Sequence, residues 1–365
     1  YTLWHTLSLH DALPIYFGHE PVQDVGIYFS SRTRDWVGRE NPGRYFQSFQ
    51  GAHKAMVYAH IPWGVVLDEN VTLEKLREFA VVLLPNAGII SEREAKLLGR
   101  YVEQSGKLVV TGLSGCYDRL GRIQSESSIE KLTGAKFVRK LDSLDNWVRF
   151  DSVKGAGGRL AAGIRAEWPF LAKGPAGVFK AESAKAVGSL LKPFRTTRQQ
   201  QGKEGTEWPM SADSPVGPAI LVNEVGKGKV VTLACDPGYG AAGEHHIVEA
   251  RRLLVNAVRF LHPEPRIKIS APTTVQAVVT DDPSSRTLRV HLLGYNSPPQ
   301  TTPAKNRPFV LPGLIEDAPM YRVTIESAEP AGKVRVLNEN TRLGHRGRRI
   351  DVTVEDIHEV VVIGY

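Results

Sequence analysis

Apolar residues fall into two regimes along the chain. Between residues 24 and 111, short uninterrupted apolar runs alternate with stretches whose apolar residues recur every three or four positions. The runs are DVGIYFS at 24–30, Gly64 to Leu67, Ala80 to Leu84 and Lys107 to Thr111. Each reads as a strand, with 24–30 and Lys107 to Thr111 buried, and Ala80 to Leu84, too short for a helix, buried on both faces as in a parallel sheet. Tyr45, Phe49, Ala52, Met56 and Ala59 mark a helix between the first two runs. Thr72 caps a short helix carrying Leu73 and Leu76. Ser91 and Glu94 form an S-x-x-E capping box. Behind it, Ala95, Leu98, Tyr101 and Val102 line one helical face. Gly106 sits where a left-handed C-terminal cap is expected, and Gly112 ends the strand that follows. Strand, loop, amphipathic helix and strand make a right-handed βαβ unit, and the rest of the chain is organised around it.

The order βαβαβαβ with short connections predicts an α/β fold with a doubly wound, flavodoxin-like parallel sheet. Past Gly115, Ser127-x-x-Glu130 is expected to cap a helix running through Leu132. Residues 135–215, rich in Gly, Lys and Gln, read as insertions around the sheet. Ala219 to Ala234 is two apolar runs across GKG, a β-hairpin. Ile247 to Leu261 follows as an amphipathic helix with Leu253, Leu254, Ala257, Val258 and Leu261 on one face. His262-Pro263-Glu264-Pro265 stops it and marks a boundary. Beyond, period-two strands dominate: 275–279, 287–293, 321–325, 333–337, 349–354 and 359–363. They predict a small all-β sandwich of about 100 residues. The expected domains are therefore 16–264 and 265–365.

At 365 residues, length allows two domains, and 42% hydrophobic with 23% charged residues is ordinary for a globular chain. No apolar run reaches the roughly 20 residues that span a bilayer, so no membrane partner is expected. The net charge of +7 is scattered, densest from Arg342 to Arg349, and reads as a solvated basic face rather than a nucleic-acid module. Cys116 and Cys235 are too few for a disulfide framework. Residues 6–15, TLSLHDALPI, resemble a translated sequencing adapter, so residues 1–15 are expected to be an artefact and are set aside. On that reading the chain is a fragment whose N-terminal neighbour is missing.

Ligands of doubly wound sheets sit beyond the carboxyl ends of the strands. Those ends carry Ser30, Ser31, Arg32, Arg34, Asp35, Trp36, Asn86 and Ser114, the interface or ligand-rim candidates. Cys116 invites comparison with a nucleophile elbow, with His245 or His246 as base. Its surroundings argue for a structural cysteine, because CYDRLGR lacks the G-x-C-x-G context. Gly238 to Gly243 spells G-x-G-x-x-G, but after the last hairpin rather than in the first βα turn, so no cofactor is expected. Glu244, His245, His246 and Glu249 fall short of a spaced metal-ligand set, so no metal is expected either.

Four segments, VGIYFSSRTRDWVG, VYAHIPWGVV, VVLLPNAGIISEREAKLLGRYVEQSGKLVVTGLSG and NEVGKGKVVTLACDPGYG with RRLLVNAVRFL, together resemble one known domain. It is the class I amidotransferase-like, or trimerisation, domain of glycoside hydrolase family 42 β-galactosidases and related hypothetical glycosyl hydrolases. The closing LRVHLLGYNS and IHEVVVIGY resemble the small β-domain that ends those chains. The resemblance spans about residues 22 to 365. It implies a homo-oligomer and a catalytic (β/α)₈ barrel upstream, the missing partner through which a carbohydrate substrate would be met. It also implies that both catalytic glutamates lie on that barrel, so no catalytic residue is expected here. The implied role is subunit assembly and shaping of the active-site rim, with Arg34, Asp35 and Trp36 at an interface. Two other readings stay open at this point: an amidotransferase-like enzyme using Cys116, and a carbohydrate-binding module housed in the β-sandwich.

Overall fold

A computed structural model describes residues 18–194, 211–242, 246–294, 320–338, 341–355 and 357–365. The apolar runs become strands where their pattern places them. In chain order the first elements are β1 (Glu20–Pro21), β2 (Val25–Phe29), α1 (Pro42–Tyr58), β3 (Trp63–Leu67), α2 (Leu73–Arg77), β4 (Val81–Leu84), α3 (Glu92–Glu103) and β5 (Lys107–Thr111). Then come α4 (Glu130–Thr133), β6 (Ala135–Lys140), β7 (Trp147–Phe150), α5 (Ala156–Leu160), β8 (Phe170–Leu171), β9 (Gly177–Ala181), β10 (Lys185–Pro193), β11 (Ala212–Val225), β12 (Gly228–Leu233), α6 (Pro237–Ala242) and α7 (Val248–Leu261). The remainder is β-structure: β13 (Ile267–Ser270), β14 (Val275–Asp282), β15 (Thr287–Gly294), β16 (Tyr321–Ser327), β17 (Val334–Val336), β18 (Leu343–Arg346), β19 (Arg349–Val354) and β20 (His358–Gly364).

The chain divides into two units. The α/β unit comprises residues 23–56 and 63–263, and the β unit comprises 264–365 with 57–62 and the described residues up to Val22. The α/β unit is built on a nine-stranded sheet in the order β3-β2-β4-β5-β12-β11-β10-β7-β8. From β3 to β12 neighbouring strands run parallel; from β12 to β8 they run antiparallel. The sheet is therefore mixed, which corrects the expectation of a parallel one. The correction comes from residues 135–215, expected as insertions. Of these, β7, β8 and β10 extend the sheet, burying Val148, Phe150, Leu190 and Leu191.

On one face of the parallel half, Tyr28, Val66, Val82, Leu84, Leu108, Val110 and Val230 form a single core cluster. Leu76, Leu98, Tyr101 and Val102 complete it. Each such side chain contributes roughly 1.5–3 kcal/mol on burial, which holds α3 to the sheet. The capping box before α3 is present in both directions: Glu94 N–H to Ser91 Oγ, and Ser91 N–H to Glu94 Oε2 at 2.6 Å. At its other end the left-handed residue is Ser105 (φ +86°), not Gly106. Ser105 N–H bonds Val102 O at 3.1 Å and Gly106 N–H bonds Tyr101 O at 2.8 Å, the paired bonds of a Schellman motif. Gly106 serves close approach instead, since a Cβ there would stand 2.4 Å from Tyr101 O. Ser127 likewise is not the cap of α4. Ile129 holds that position without a side-chain hydrogen bond, and Gly134 in the left-handed region closes the helix.

In the β unit, one sheet runs β1-β14-β15-β20-β17 and a second runs β13-β16-β19-β18, with all pairs antiparallel. Both contribute to one core, with Val279, Leu288, Val290, Leu292 and Val361 from the first and Ile269, Val323, Ile325, Ile350 and Val352 from the second.

Candidate functional site

The loops that leave β2, β4, β5 and β12 at their carboxyl ends form a layer of buried polar bonds with an exposed rim. In the layer, Thr111 Oγ1 accepts from Asn86 N–H at 3.0 Å and donates to Asp236 Oδ1 at 3.0 Å. Asn86, in a left-handed conformation (φ +49°), accepts the Leu113 N–H through Oδ1 at 2.9 Å. Ser114 Oγ accepts the Ala87 N–H at 2.9 Å and donates to the Thr111 carbonyl at 2.8 Å. Ser30 Oγ accepts from Thr33 N–H at 3.1 Å, and Tyr45 Oη lies 2.6 Å from Ser30 N. These bonds satisfy buried groups whose exposure to a dry interior would each cost about 1–3 kcal/mol. Ser30, Asn86 and Ser114 thus tie loops to strands through the Ser30 and Ser114 hydroxyls and Asn86 Oδ1.

Asp236, fully buried, accepts from Gly238 N–H at 3.1 Å and from Thr111. Burial pushes its carboxyl above the ordinary carboxylate value, against the hydrogen bonds from Ser48, Thr111 and backbone amides that favour the charged form. Just behind it, α6 meets α1 at a glycine pair: a Cβ on Gly51 would stand 1.7 Å from Gly238 O. The G-x-G letters at 238–240 therefore serve helix packing. Gly243, Glu244 and His245 lie outside the described residues.

The rim is built differently. Thr33–Val37 make one π-helical turn, closed by Gly38 N–H to Thr33 O at 2.9 Å. Thr33 turns inward, leaving Arg32, Asp35 and Trp36 exposed, with Trp36 44% exposed. Arg32 Nη1 reaches both oxygens of buried Glu94, at 3.1 and 3.2 Å. Arg34 and Asp35 pair with each other at 2.6 Å, and that bond holds the Asp35 carboxyl below its usual value. Ser31 bonds Glu69 at 3.2 Å.

Sequence reasoning missed the partner loop. Gly121 (φ +75°) lies so close to the turn that a Cβ would stand 2.8 Å from Trp36 O. On either side of Gly121, Leu120 and Ile123 are 44% and 46% exposed, and Arg119 and Arg122 are exposed as well. The exposed side chains of Trp36, Leu120 and Ile123 thus sit on two segments whose backbones meet at Gly121, with Arg119 and Arg122 exposed beside them, the composition of an interface hot spot. The signal available in the sequence was the pattern LGRI after a strand end, an apolar pair with no helical or strand period. Beside these segments runs a cleft of about 1000 Å³, lined by Arg32, Ile90, Ala95, Gly99, Tyr117 and Ser127 among others.

Cys116 does not offer a nucleophile. It is buried, and burial pushes its thiol up to about 12, so the thiolate that attacks a carbonyl is unpopulated near neutrality. His246 and Glu249 stand at the start of α7. No helix among the described residues is long and apolar enough to cross a membrane.

Comparison with known proteins agrees with this architecture. The family model described as the β-galactosidase trimerisation domain matches residues 23–174, which hold the turn bearing Trp36 and the loop bearing Leu120 and Ile123. No curated protein matches the chain. Among solved structures, α-L-fucosidase isoenzyme 2 of Paenibacillus thiaminolyticus shares the fold at a TM-score of 0.73 and 16% identity, over 98% of this chain and 51% of that one. The β-galactosidase of Bacillus circulans sp. alkalophilus follows at 0.63 and 13%, over 98% and 44%. Gan42B, a GH42 β-galactosidase of G. stearothermophilus, gives 0.58 and 15%, over 93% and 40%. The chain spans about half the length of these structures or less. Residues 23–174 therefore match the β-galactosidase trimerisation domain, and the chain shares its fold with glycoside hydrolase family 42 β-galactosidases.

Proposed function

We propose that this chain is the non-catalytic assembly region of a larger glycoside hydrolase of the family 42 β-galactosidase type. The observation that carries the proposal is the trimerisation-domain match over residues 23–174, the stretch that bears the exposed Trp36, Leu120 and Ile123. In the complete protein a (β/α)₈ barrel precedes the chain and meets the carbohydrate. The α/β unit holds subunits together and shapes the rim of the active site, and the β unit is a separate domain. The parallel strands stand in the order second, first, third, fourth, fifth along the chain, which supports a flavodoxin-like ancestry for the α/β unit.

On this reading, Arg32, Arg34, Asp35 and Trp36 with Leu120 and Ile123 face a second copy of the protein or its barrel. Burying an exposed Trp beside arginines is where interface energy concentrates. Trp36→Ala in the complete protein is expected to shift the assembly to smaller species while each domain keeps its melting transition. Light scattering reads the mass and calorimetry the folding. An unchanged mass, with Trp36 as readily quenched in the wild type as free tryptophan, overturns the interface assignment.

A further inference from the structure

The basic stretch Arg342 to Arg349 lies in the β unit, outside the residues that match the trimerisation domain, and the fold arranges it. In the second sheet of the β unit, Val323, Ile325, Ile350, Val352 and Val354 point into the core. Strand alternation then turns Arg322, Thr324 and Glu326 of β16, and Arg349, Asp351 and Thr353 of β19, to the outer face. The register sets Arg322 beside Thr353, Thr324 beside Asp351, and Glu326 beside Arg349. On the other side of β19, Gly344 lies across from Asp351 and Arg346 across from Arg349, while the Arg342 carbonyl accepts the Thr353 N–H at 3.1 Å.

The face thus has three rows. The first and third carry arginines: Arg342 and Arg322, then Arg346 and Arg349. The middle row is Gly344, Asp351 and Thr324, with Thr324 Oγ1 bonding Asp351 Oδ1 at 2.7 Å. Gly344 leaves the middle open, since a Cβ there would meet nothing closer than 3.9 Å. A depression of about 490 Å³ lies over it.

Its charges are only partly answered. Arg349 is held by Asp351 at 2.8 Å, and Arg342 lies 3.7 Å from Glu355 with its side chain 83% exposed. Among the described residues no ion pair engages Arg322 or Arg346. Arg346 stands opposite Arg349, which Asp351 already holds and which pairs across the sheet with Glu326, so Arg346 is the cation of this row with no ion pair among the described residues.

We propose that this face binds an acidic polysaccharide, a polyuronate chain whose carboxylates meet Arg322, Arg342 and Arg346 and whose hydroxyls meet Asp351, Thr324 and Thr353. The guanidinium fork matches a planar carboxylate. Arginine rows four residues apart along a strand, roughly 14 Å, suit charges separated by hydroxyl-bearing sugar units better than closely spaced phosphates. The face has no outward aromatic ring on which a nucleic-acid base would stack, because Tyr321 packs against the core. It also lacks the apolar side chains that would enter a membrane.

Affinity electrophoresis of the 365-residue chain through gels containing polygalacturonate tests the proposal, with neutral galactan as reference. The wild type is expected to be retarded by polygalacturonate and not by galactan, and 0.5 M salt should release it. Arg322→Ser with Arg346→Ser should weaken binding about tenfold or more. Gly344→Val, which fills the depression, should weaken it without removing charge. Thermal melts establish that both variants are folded. Wild-type retardation of the double variant overturns the proposal. Equal retardation by a sulfated glycan, an oligothymidylate or anionic vesicles also does, since the face would then read charge alone.

Discussion

In the parallel half of the nine-stranded sheet, β2, β4, β5 and β12 are buried along nearly their whole length, and each carboxyl end is tied down by a buried polar bond. In the antiparallel half, β10 and β11 pair through repeated register shifts and carry Pro193, Pro215 and Pro218 within the strands. One sheet therefore contains two kinds of order. These four parallel strands have few ways to pack, because their side chains are buried and the loops at their ends are stapled. The antiparallel strands take their path from bulges, which bend a strand and re-aim its side chains. Positional accuracy at the carboxyl-end loops, where Trp36 and Leu120 project, depends on the first kind.

The sharpest way to break that comparison is Gly51→Val. The valine has no room against Gly238, so α1 must leave the sheet, and the cost should reach about 3 kcal/mol or more. Circular dichroism melts would read it. A shift of only a degree or two would mean that the parallel half is as yielding as the other.

Next in size are two matched truncations, Leu108→Ala in β5 and Leu190→Ala in β10, both at sites with 0% exposure. Each should cost about 2–5 kcal/mol. Calorimetry then separates the halves. We expect Leu108→Ala to lower the main transition as a whole, and Leu190→Ala to release an earlier, smaller one. A single transition in both variants would make the sheet one cooperative body.

The smallest expected effect concerns the polar layer of the parallel half. The folded-state carboxyl of Asp236 is raised above its ordinary 3.8 by burial. The folded chain therefore keeps that proton to higher pH than the unfolded chain. Its contribution to stability is complete below 3.8 and drains away as pH climbs through the folded-state value. Asparagine cannot ionise, so stability of Asp236→Asn relative to wild type should improve from pH 4 to pH 8. Urea midpoints across that range give the slope. A constant difference would show that the ionisation of Asp236 is uncoupled from folding.

Much of the parallel half was legible in the sequence. Val81 to Leu84 and Leu108 to Val110 are apolar at every position, which only a strand buried on both faces requires, and Ser91 with Glu94 announces α3 within one turn. Among the rim candidates, Arg32 to Trp36 were placed at the end of the first strand, while the π-helical turn they form and the commitment of Ser30, Asn86 and Ser114 to internal bonds were not legible. A hydroxyl at a strand end looks the same in sequence whether it faces water or a neighbouring loop. Leu120 and Ile123 were missed because the approach of Gly121 to the Trp36 turn joins residues some 85 positions apart.

The sequence by itself determined the βαβ core, the hairpin of β11 and β12, the helix α7 and the alternating strands of the β unit. In each of these, periodicity within one segment already states which faces must be dry. Only the tertiary structure decided that residues 135–215 extend the sheet, that Ser105 rather than Gly106 turns left-handed, and that Arg322 and Arg346 share one face with Gly344 between them. Those outcomes depend on which strand lies alongside and on how closely two backbones approach. No local pattern of apolar and polar residues carries that information.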